Sequence, residues 1–392
     1  MLFQALDDKK ECIAIFKGGE LIYGDLPPDL SGTWKYTSIL RDRPVEYASL
    51  YCSSASLEEV CPEQLTEKWE AINNKLKSFL TSFRESKVSL RDNCFFDLVP
   101  ERFLLEYCSI KNHITEHVFE NYDKPPNYNF LLELTRVLED IKYNKLNLNF
   151  NNMDLSSSLS RGQFKKINNS SPYISYDISG TKTGRLTTFK NSFPILTLNK
   201  AHRGIIEPNN DWLVELDFNA AELRTLLALL GKPQPEEDIH EWNAKNVYRG
   251  ELSRDEAKKK IFSWLYNPDS KDHLSNGEYD RESLLDKFWD GTYVRTVFNR
   301  EIESDKYHAL NYIIQSTSSD LFLKRMIEIH KLLENRKSFI SFSMHDSLVI
   351  DMSLEDKDIL NNICDIFSQT DLGEYKINVS AGKNFSEMKK IL

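Results

Sequence analysis

The chain has 392 residues, with 60 acidic against 50 basic side chains, a formal net charge of −10 and a pI of 5.5. That length excludes a peptide-sized module and allows two or three domains with a real core. The acidic balance is unlike a generic polycationic nucleic-acid binder, and no run approaches the ~20 apolar residues of a membrane-spanning helix. The first residues, Met1-Leu-Phe-Gln-Ala-Leu-Asp-Asp-Lys-Lys, lack the apolar core of a signal peptide. Six cysteines (Cys12, Cys52, Cys61, Cys94, Cys108, Cys364) show neither CxxC nor zinc-like spacing, which predicts reduced thiols in a cytoplasmic protein.

In chain order, Glu11–Phe16 and Glu20–Gly24 read as strands joined by Lys17-Gly-Gly, a hairpin signal. Leu65–Phe83 reads as an amphipathic helix, and Leu131–Ile141 as another. Asn144–Asn152, followed by Ser156-Ser-Ser-Leu-Ser160, is polar and reads as a mobile loop. Lys165, Lys166, Lys182, Arg185, Lys190, Lys200 and Arg203 concentrate positive charge ahead of residue 210, so the acidic total is unevenly spread.

Three later segments carry chemistry. Trp212–Phe218 is short and apolar and reads as a strand; Ala220–Leu230 reads as a helix stopped by Gly231 and Pro233. Asp217 thus falls where a strand ends and a helix begins. In Arg254–Tyr266, the residues Arg254, Lys258, Phe262 and Tyr266 recur every four positions. Each step drifts only ~40° around a helix, so two cations, a ring and a phenol share one face. Cations suit a triphosphate and a ring suits a stacked base. Phe339–Asp351 reads as a hairpin with His345-Asp346-Ser347 near its turn. Two carboxylates from separate strands can hold two Mg²⁺ ions for in-line phosphoryl displacement. Taken singly, Asp217 reads equally well as a helix cap, Asp346 as a turn residue, and the Arg254–Tyr266 pattern as an ordinary amphipathic helix. The order of all three in one chain is far less readily accidental.

Together these residues resemble family A DNA polymerases, the class of bacterial DNA polymerase I and many phage replicases. Asp217-Phe-Asn-Ala-Ala-Glu222-Leu-Arg224 resembles the first carboxylate motif, D-Y-S-x-x-E-L-R. Arg254-x3-Lys258-x3-Phe262-x3-Tyr266 resembles the nucleotide-binding fingers helix, and His345-Asp346-Ser347 the second carboxylate motif, H-D-E. Four further matches lie in the family's order: Thr183-Gly-Arg185-Leu-Thr-Thr, Asp238-Ile-His240, Asn311-Tyr-Ile-Ile-Gln315-Ser-Thr-Ser-Ser-Asp320, and Val379-Ser-Ala-Gly382-Lys-Asn384-Phe385. The resemblance covers roughly residues 173–392. Ser263, Ser316 and Ser347 depart from it, replacing Gly, Gly and Glu, and the interval from Tyr266 to Gln315 is shorter than in bacterial enzymes, which implies trimmed fingers.

The resemblance implies an α+β right-hand fold with an antiparallel palm sheet, helical fingers and thumb, and a small N-terminal α/β segment. The implied boundaries are 1–95 for that segment, 96–172 thumb, 173–235 and 301–392 palm, and 236–300 fingers. It implies metal binding at Asp217, Asp346 and Phe218, with two Mg²⁺ ions for which Mn²⁺ can substitute. Lys258 joins the two aspartates as a catalytic residue. Arg254, Lys258 and His240 would hold the triphosphate, Phe262 the base and sugar, and Tyr266 would sit near the template base. Glu222 would exclude a 2′-hydroxyl. Thr183, Arg185, Asn311, Gln315 and His345 would contact primer–template DNA. Implied partners are primer–template, deoxynucleoside triphosphates and, for a viral chain in host cytoplasm, other replication proteins. Asp7, Asp8 and Glu11 do not form the carboxylate set of a 3′–5′ exonuclease, so no proofreading is expected. Two rival readings remain. A single-subunit RNA polymerase often carries H-D-S, but Glu222, Phe262 and Thr183-Gly-Arg185 argue against it; against a non-catalytic primer–template clamp stand Asp217, Lys258 and Asp346 together.

Overall fold

The computed structural model describes residues 1–7, 13–152 and 158–391. The chain divides into two compact units, Met1–Asp140 and Ile141–Leu392.

The first unit begins with an antiparallel sheet of Phe3–Ala5, Ala14–Lys17 and Glu20–Tyr23. Gly18 and Gly19 turn the hairpin at φ +60° and +91°, a conformation that a Cβ would oppose. Asp8, Glu11 and Cys12 lie outside the described residues. The helices Thr66–Glu85 and Glu101–Asn121 bury Trp69, Ile72, Phe103, Leu104, Cys108, Ile114 and Val118 in one core with Ala14, Phe16 and Trp34 of the N-terminal segment. The expected boundary at residue 95 falls inside this unit, because the 101–121 helix turns its apolar face to that shared core. Cys52, Cys61, Cys108 and Cys364 are free thiols, whereas Cys94 is disulfide-bonded, which corrects the expectation of reduced thiols throughout.

The second unit is built on a five-stranded sheet in the order Phe339–Met344, Ser347–Met352, Trp212–Phe218, Ile377–Gly382, Lys389–Lys390, antiparallel at every pairing. The strand, helix and hairpin limits expected for 212–218, 254–266 and 339–351 all hold to within a residue or so. The sheet packs against two helices, Lys306–Leu333 and Leu360–Ser368. Small residues let the first of these close on the Ala221–Leu229 helix: Ser318 Oγ donates to Thr225 Oγ1 at 2.9 Å, and the Tyr375 hydroxyl reaches the same Thr225 at 3.2 Å. One core joins Leu223, Leu226, Leu227 and Leu229 of the Ala221–Leu229 helix to the segment from residue 239 to 314, and in it Trp264, Ile261, Tyr279 and Leu284 are fully enclosed.

The Asn-rich stretch is not the loop its polarity suggested. Asn147–Leu148 pairs with Ile206–Glu207, the Asn149 N–H donates to the Ile205 carbonyl at 2.7 Å, and Asn147 and Asn149 side chains donate to Pro208 and Glu207, each at 2.9 Å. Asparagine carries both donor and acceptor, so these side chains add one bond to a main-chain carbonyl and one to a carboxylate beside the strand pairing. Ser158–Asn168 is helical; residues 153–157 lie outside the described ones. Among the described residues no helix is long and apolar enough to cross a membrane.

Trp264 is the largest fully buried side chain. Trp264→Ala is expected to cost about 3–5 kcal/mol of stability. A shift below about 1 kcal/mol in denaturant unfolding would mean that this core is looser than its burial indicates.

Candidate active site

Cross-strand register builds the site. Asp217 pairs with Ser347 on one side of its strand and with Asn378 on the other. Asp346 is the residue before Ser347, so the hairpin turn delivers it to the end of the strand where Asp217 lies. That turn is tight: Met344 pairs with Ser347, and His345 takes φ +56°, a conformation costly outside glycine but tolerated better by His than by most residues. Ser347 Oγ donates back to the Met344 carbonyl at 3.1 Å, so this hydroxyl serves its own hairpin. The Phe218 side chain points into the core and stacks on Phe367 at 4.3 Å, which leaves only its main chain to face a metal.

Asp217 is the electrostatic centre. Its carboxyl is pushed up to about 7, first by burial and then by Glu215 and Asp346; an Asn378 hydrogen bond and the Lys258 charge oppose the rise. Excess negative charge on these carboxylates is the condition under which a hard cation is welcome. Among the described residues no three His, Cys, Asp or Glu side chains are grouped to hold a metal alone. Two carboxylates and a main-chain oxygen nevertheless fit Mg²⁺, which commonly takes one or two protein carboxylates and completes its shell with water and substrate phosphate.

The helix Arg254–Tyr266 closes the other side. A capping box of Ser253 and Glu256 starts it. Ala257, Ile261, Trp264 and Leu265 face the core, and Arg254, Lys258, Phe262 and Tyr266 fall on the adjoining face, roughly a quarter-turn round the helix, with Phe262 still packed against the core. Phe262 and Tyr266 stack at 5.9 Å and 10°, and His240 lies 5.6 Å from Phe262. The Tyr266 hydroxyl donates to Glu222, and burial followed by Glu222 raises its pKa; Gln315 hydrogen-bonds the same tyrosine. Arg185 donates to the other Glu222 oxygen at 2.6 Å and lies 3.8 Å from Asp346. One chain of contacts therefore joins His240, Phe262, Tyr266, Gln315, Glu222, Arg185 and Asp346. Asn311 sits one helical turn from Gln315, and its Oδ1 is buried without a partner.

Thr183 is buried beneath Arg185 rather than presented. Gly184 has φ +76°, and a Cβ there would meet the Arg300 guanidinium at 2.3 Å. Arg300 in turn grips the buried Asp320 at 2.6 and 3.1 Å. The motif glycine is thus fixed both by its backbone and by the arginine below it.

Motif reading gave no role to Asn219, Arg224 or Asp238, and these organise the entrance. Arg224 is fully buried, and its guanidinium donates to Asn219, Gln234, Pro235 and Glu237. Asn219 donates to Asp238 at 2.9 Å and accepts the Ile239 N–H at 3.1 Å. Asp238 caps the next helix through the His240 and Glu241 N–H groups and receives Arg254 at 2.8 and 3.2 Å. Burial alone would raise the Asp238 carboxyl, but Arg254, Asn219 and the Glu241 N–H hold it well below the carboxylate range. The available signal was an Asn and an Arg five residues apart around a strand–helix turn, which motif matching passes over.

Several comparisons bear on this geometry. No family model matches the chain. A DNA polymerase I from Caldicellulosiruptor bescii is 25% identical over 258 residues, which is 52% of this chain and 30% of that protein; the match thus spans under a third of the relative's length. Among solved structures, the POL domain of Pol1 from M. smegmatis, in complex with DNA primer-template and dNTP, is similar with a TM-score of 0.63 at 11% identity, over 92% of this chain and 87% of that one. In fold the chain is an α+β polymerase domain, and over those 258 residues its sequence is DNA polymerase I-like.

His240 yields a prediction. Burial, aided by the charges of Lys258, Arg254 and Arg224, lowers its pKa from 6.5 to about 4 against the pull of Asp238. Below pH 6.5 the unfolded chain takes up a proton that the folded chain refuses until about pH 4. The stability that His240 contributes is therefore complete above 6.5 and is lost as pH falls through that window. His240→Phe should flatten the pH dependence of unfolding there, as read by urea titration at stepped pH. An unchanged slope would place the effect on other groups.

Proposed function

We propose that this chain is a template-directed DNA polymerase that extends a primer 3′ end with deoxynucleotides. The observation that carries this reading is the delivery of Asp217 and Asp346 by paired strands to one cleft, facing the Lys258–Phe262 face of the Arg254–Tyr266 helix. The DNA polymerase I similarity and the polymerase-domain fold support it.

Asp217, Asp346 and the Phe218 main chain would hold two Mg²⁺ ions. When bound, such ions lower the pKa of the attacking primer hydroxyl and neutralise charge on the triphosphate and departing pyrophosphate. The remaining work falls to side chains. Lys258 is exposed on the helix and reaches Asp217 electrostatically, so its ammonium is placed to balance charge on the phosphates and to give a proton to the leaving group. Arg254 adds a forked cation at the helix start, where Asp238 keeps it oriented. His240, held neutral with Nδ1 buried and unpartnered, offers the triphosphate a polar contact without another charge. Phe262 supplies the flat surface for base and sugar. Glu222, gripped between Arg185 and Tyr266, forms a rigid wall where a 2′-hydroxyl would lie.

Arg185 and Gln315, tied to Glu222 and Tyr266, would contact primer–template together with His345 and Asn311 in its minor groove, where acceptors occur at every base pair. Palm residues would then be 173–235 and 301–392, with fingers at 236–300. Residues 96–172 supply thumb helices, and residues 1–95 a degenerate exonuclease remnant or a docking module, in either case without proofreading. Viral replication proteins would be partners if the chain is viral.

Primer extension with Mg²⁺ on a DNA primer–template tests this. Asp217→Ala and Asp346→Ala should each abolish extension while circular dichroism stays native. Lys258→Ala should slow incorporation roughly 10²–10³-fold, the usual weight of one group preorganised at developing charge. Near wild-type extension in either aspartate variant would end the metal assignment. Glu222→Ala should admit ribonucleotides; unchanged sugar discrimination would remove Glu222 from that role. Ribonucleotide extension by the unaltered chain would favour the RNA polymerase reading.

A further inference from the structure

The first unit contains a buried lysine that the polymerase reading does not use. Lys111 lies on the core-facing side of the Glu101–Asn121 helix, in the same stripe as Leu104, Cys108, Thr115 and Val118, and is only 7% exposed. An ammonium in such a stripe is expensive unless something compensates it. No carboxylate of the described residues is found among the charges acting on it, and its ammonium lies 5.8 Å from the Tyr107 ring centroid. Burial, and then the like charge of Lys35, push its amine down to about 8.

Lys111 does not abut packed core throughout. It lines a cavity of about 200 Å³ together with Lys35, Thr33, Thr37, Asp7 and Tyr107. That volume far exceeds the roughly 10–15 Å³ needed by a single water. Lys35 is exposed and Lys111 buried, so one amine stands toward the mouth and the other toward the floor. Thr37 is 2% exposed, and its Oγ1 is buried without a hydrogen-bond partner. Asp7 carries the opposing charge, and its Oδ2 accepts the Phe95 N–H at 2.8 Å. The described lining therefore holds two amines, one engaged carboxylate and an unsatisfied hydroxyl.

The geometry points to a binding site for a small oxyanion of phosphate size in the Met1–Asp140 unit, held by Lys111 and Lys35 with the Thr37 hydroxyl as a further donor. An oxyanion would relieve the mutual repulsion of the two amines, compensate the buried ammonium and satisfy Thr37 at once. Water filling the cavity would solvate the amines and satisfy Thr37 but would bring no opposing charge. This site is separate from the cleft around Asp217 and does not rest on the polymerase reading.

The test uses the full chain and inorganic phosphate, titrated calorimetrically at constant ionic strength against chloride. Lys258→Met serves as a companion, because the Arg254–Tyr266 helix could also attract phosphate. Wild type and Lys258→Met should both bind. Lys111→Met should bind on the order of 10- to 100-fold more weakly, the weight of one charge-assisted hydrogen bond, while unfolding at or above the wild-type temperature, since a buried charge has been removed. Equal binding by Lys111→Met, loss of binding in Lys258→Met, or no binding by wild type would each overturn the site. Should Lys111→Met not fold, Lys35→Met at the exposed rim reads the same question: weakened phosphate binding supports the site, and unchanged binding refutes it.

Discussion

Everything in the candidate site depends on the register between Trp212–Phe218 and Ser347–Met352. Side chains alternate across a strand, so a slip of one residue would turn Asp217 into the core and bring Phe218 out. Two features hold the register from opposite faces. On the core face, Phe218 stacks on Phe367 and meets Tyr375 edge-on. At the far end, Asp351 accepts the Asn209 and Asn210 N–H groups at 2.6 and 2.8 Å, anchoring the entry to the central strand. With both ends fixed, the two-residue turn has one place to put Asp346. The left-handed backbone of His345 is a small local cost compatible with that placement.

The same register concentrates like charge. Glu215 lies two residues before Asp217, on the same face of the strand, and Asp346 lies at its end; Lys258 is the cation that offsets Asp217 from the facing helix. A folded protein tolerates such an arrangement where a cation is to be received. It also explains how a chain of net charge −10 can carry a site for a polyanion: attraction is local, through Lys258, Arg254 and Arg185, and global charge says little about it.

Much of this was legible in sequence because it rests on periodicity. The short apolar runs of 212–218 and 339–351, and the step of four in 254–266, mark their elements without reference to any partner, and those elements lie where expected. What escaped were interactions between residues distant in sequence that have no period. Asparagines 147 and 149 look like loop residues until Ile205–Pro208 arrives to receive them. Lys111 looks like one surface lysine among many, because a single charged residue in a helical stripe is normally outward. Arg224 was visible only as a letter of a motif, and its five hydrogen bonds to residues 219–237 could not be inferred from spacing.

Arg224 also shows why the Arg254–Tyr266 helix and the sheet act as one body. Its guanidinium is 0% exposed and spans from the strand–helix turn to the carbonyls of Pro235 and Glu237. Those carbonyls precede Asp238, which Asn219 grips from the same turn. Asp238 then fixes Arg254 at the first residue of the Arg254–Tyr266 helix. The path from Asp217 to Arg254 thus runs through two residues of the turn and one short loop, with hydrogen bonds at each step. A shift of the helix must break charge-assisted bonds at Asp238, whereas a shift of the carboxylates must break the sheet. Distance between the two halves of the site is therefore set by these polar contacts together with the apolar core in which Leu223, Leu226 and Leu227 meet Ala257, Ile261 and Trp264. Helix and carboxylate strands are thus held at one spacing by the shared core and by the charge-assisted bonds at Asp238 together.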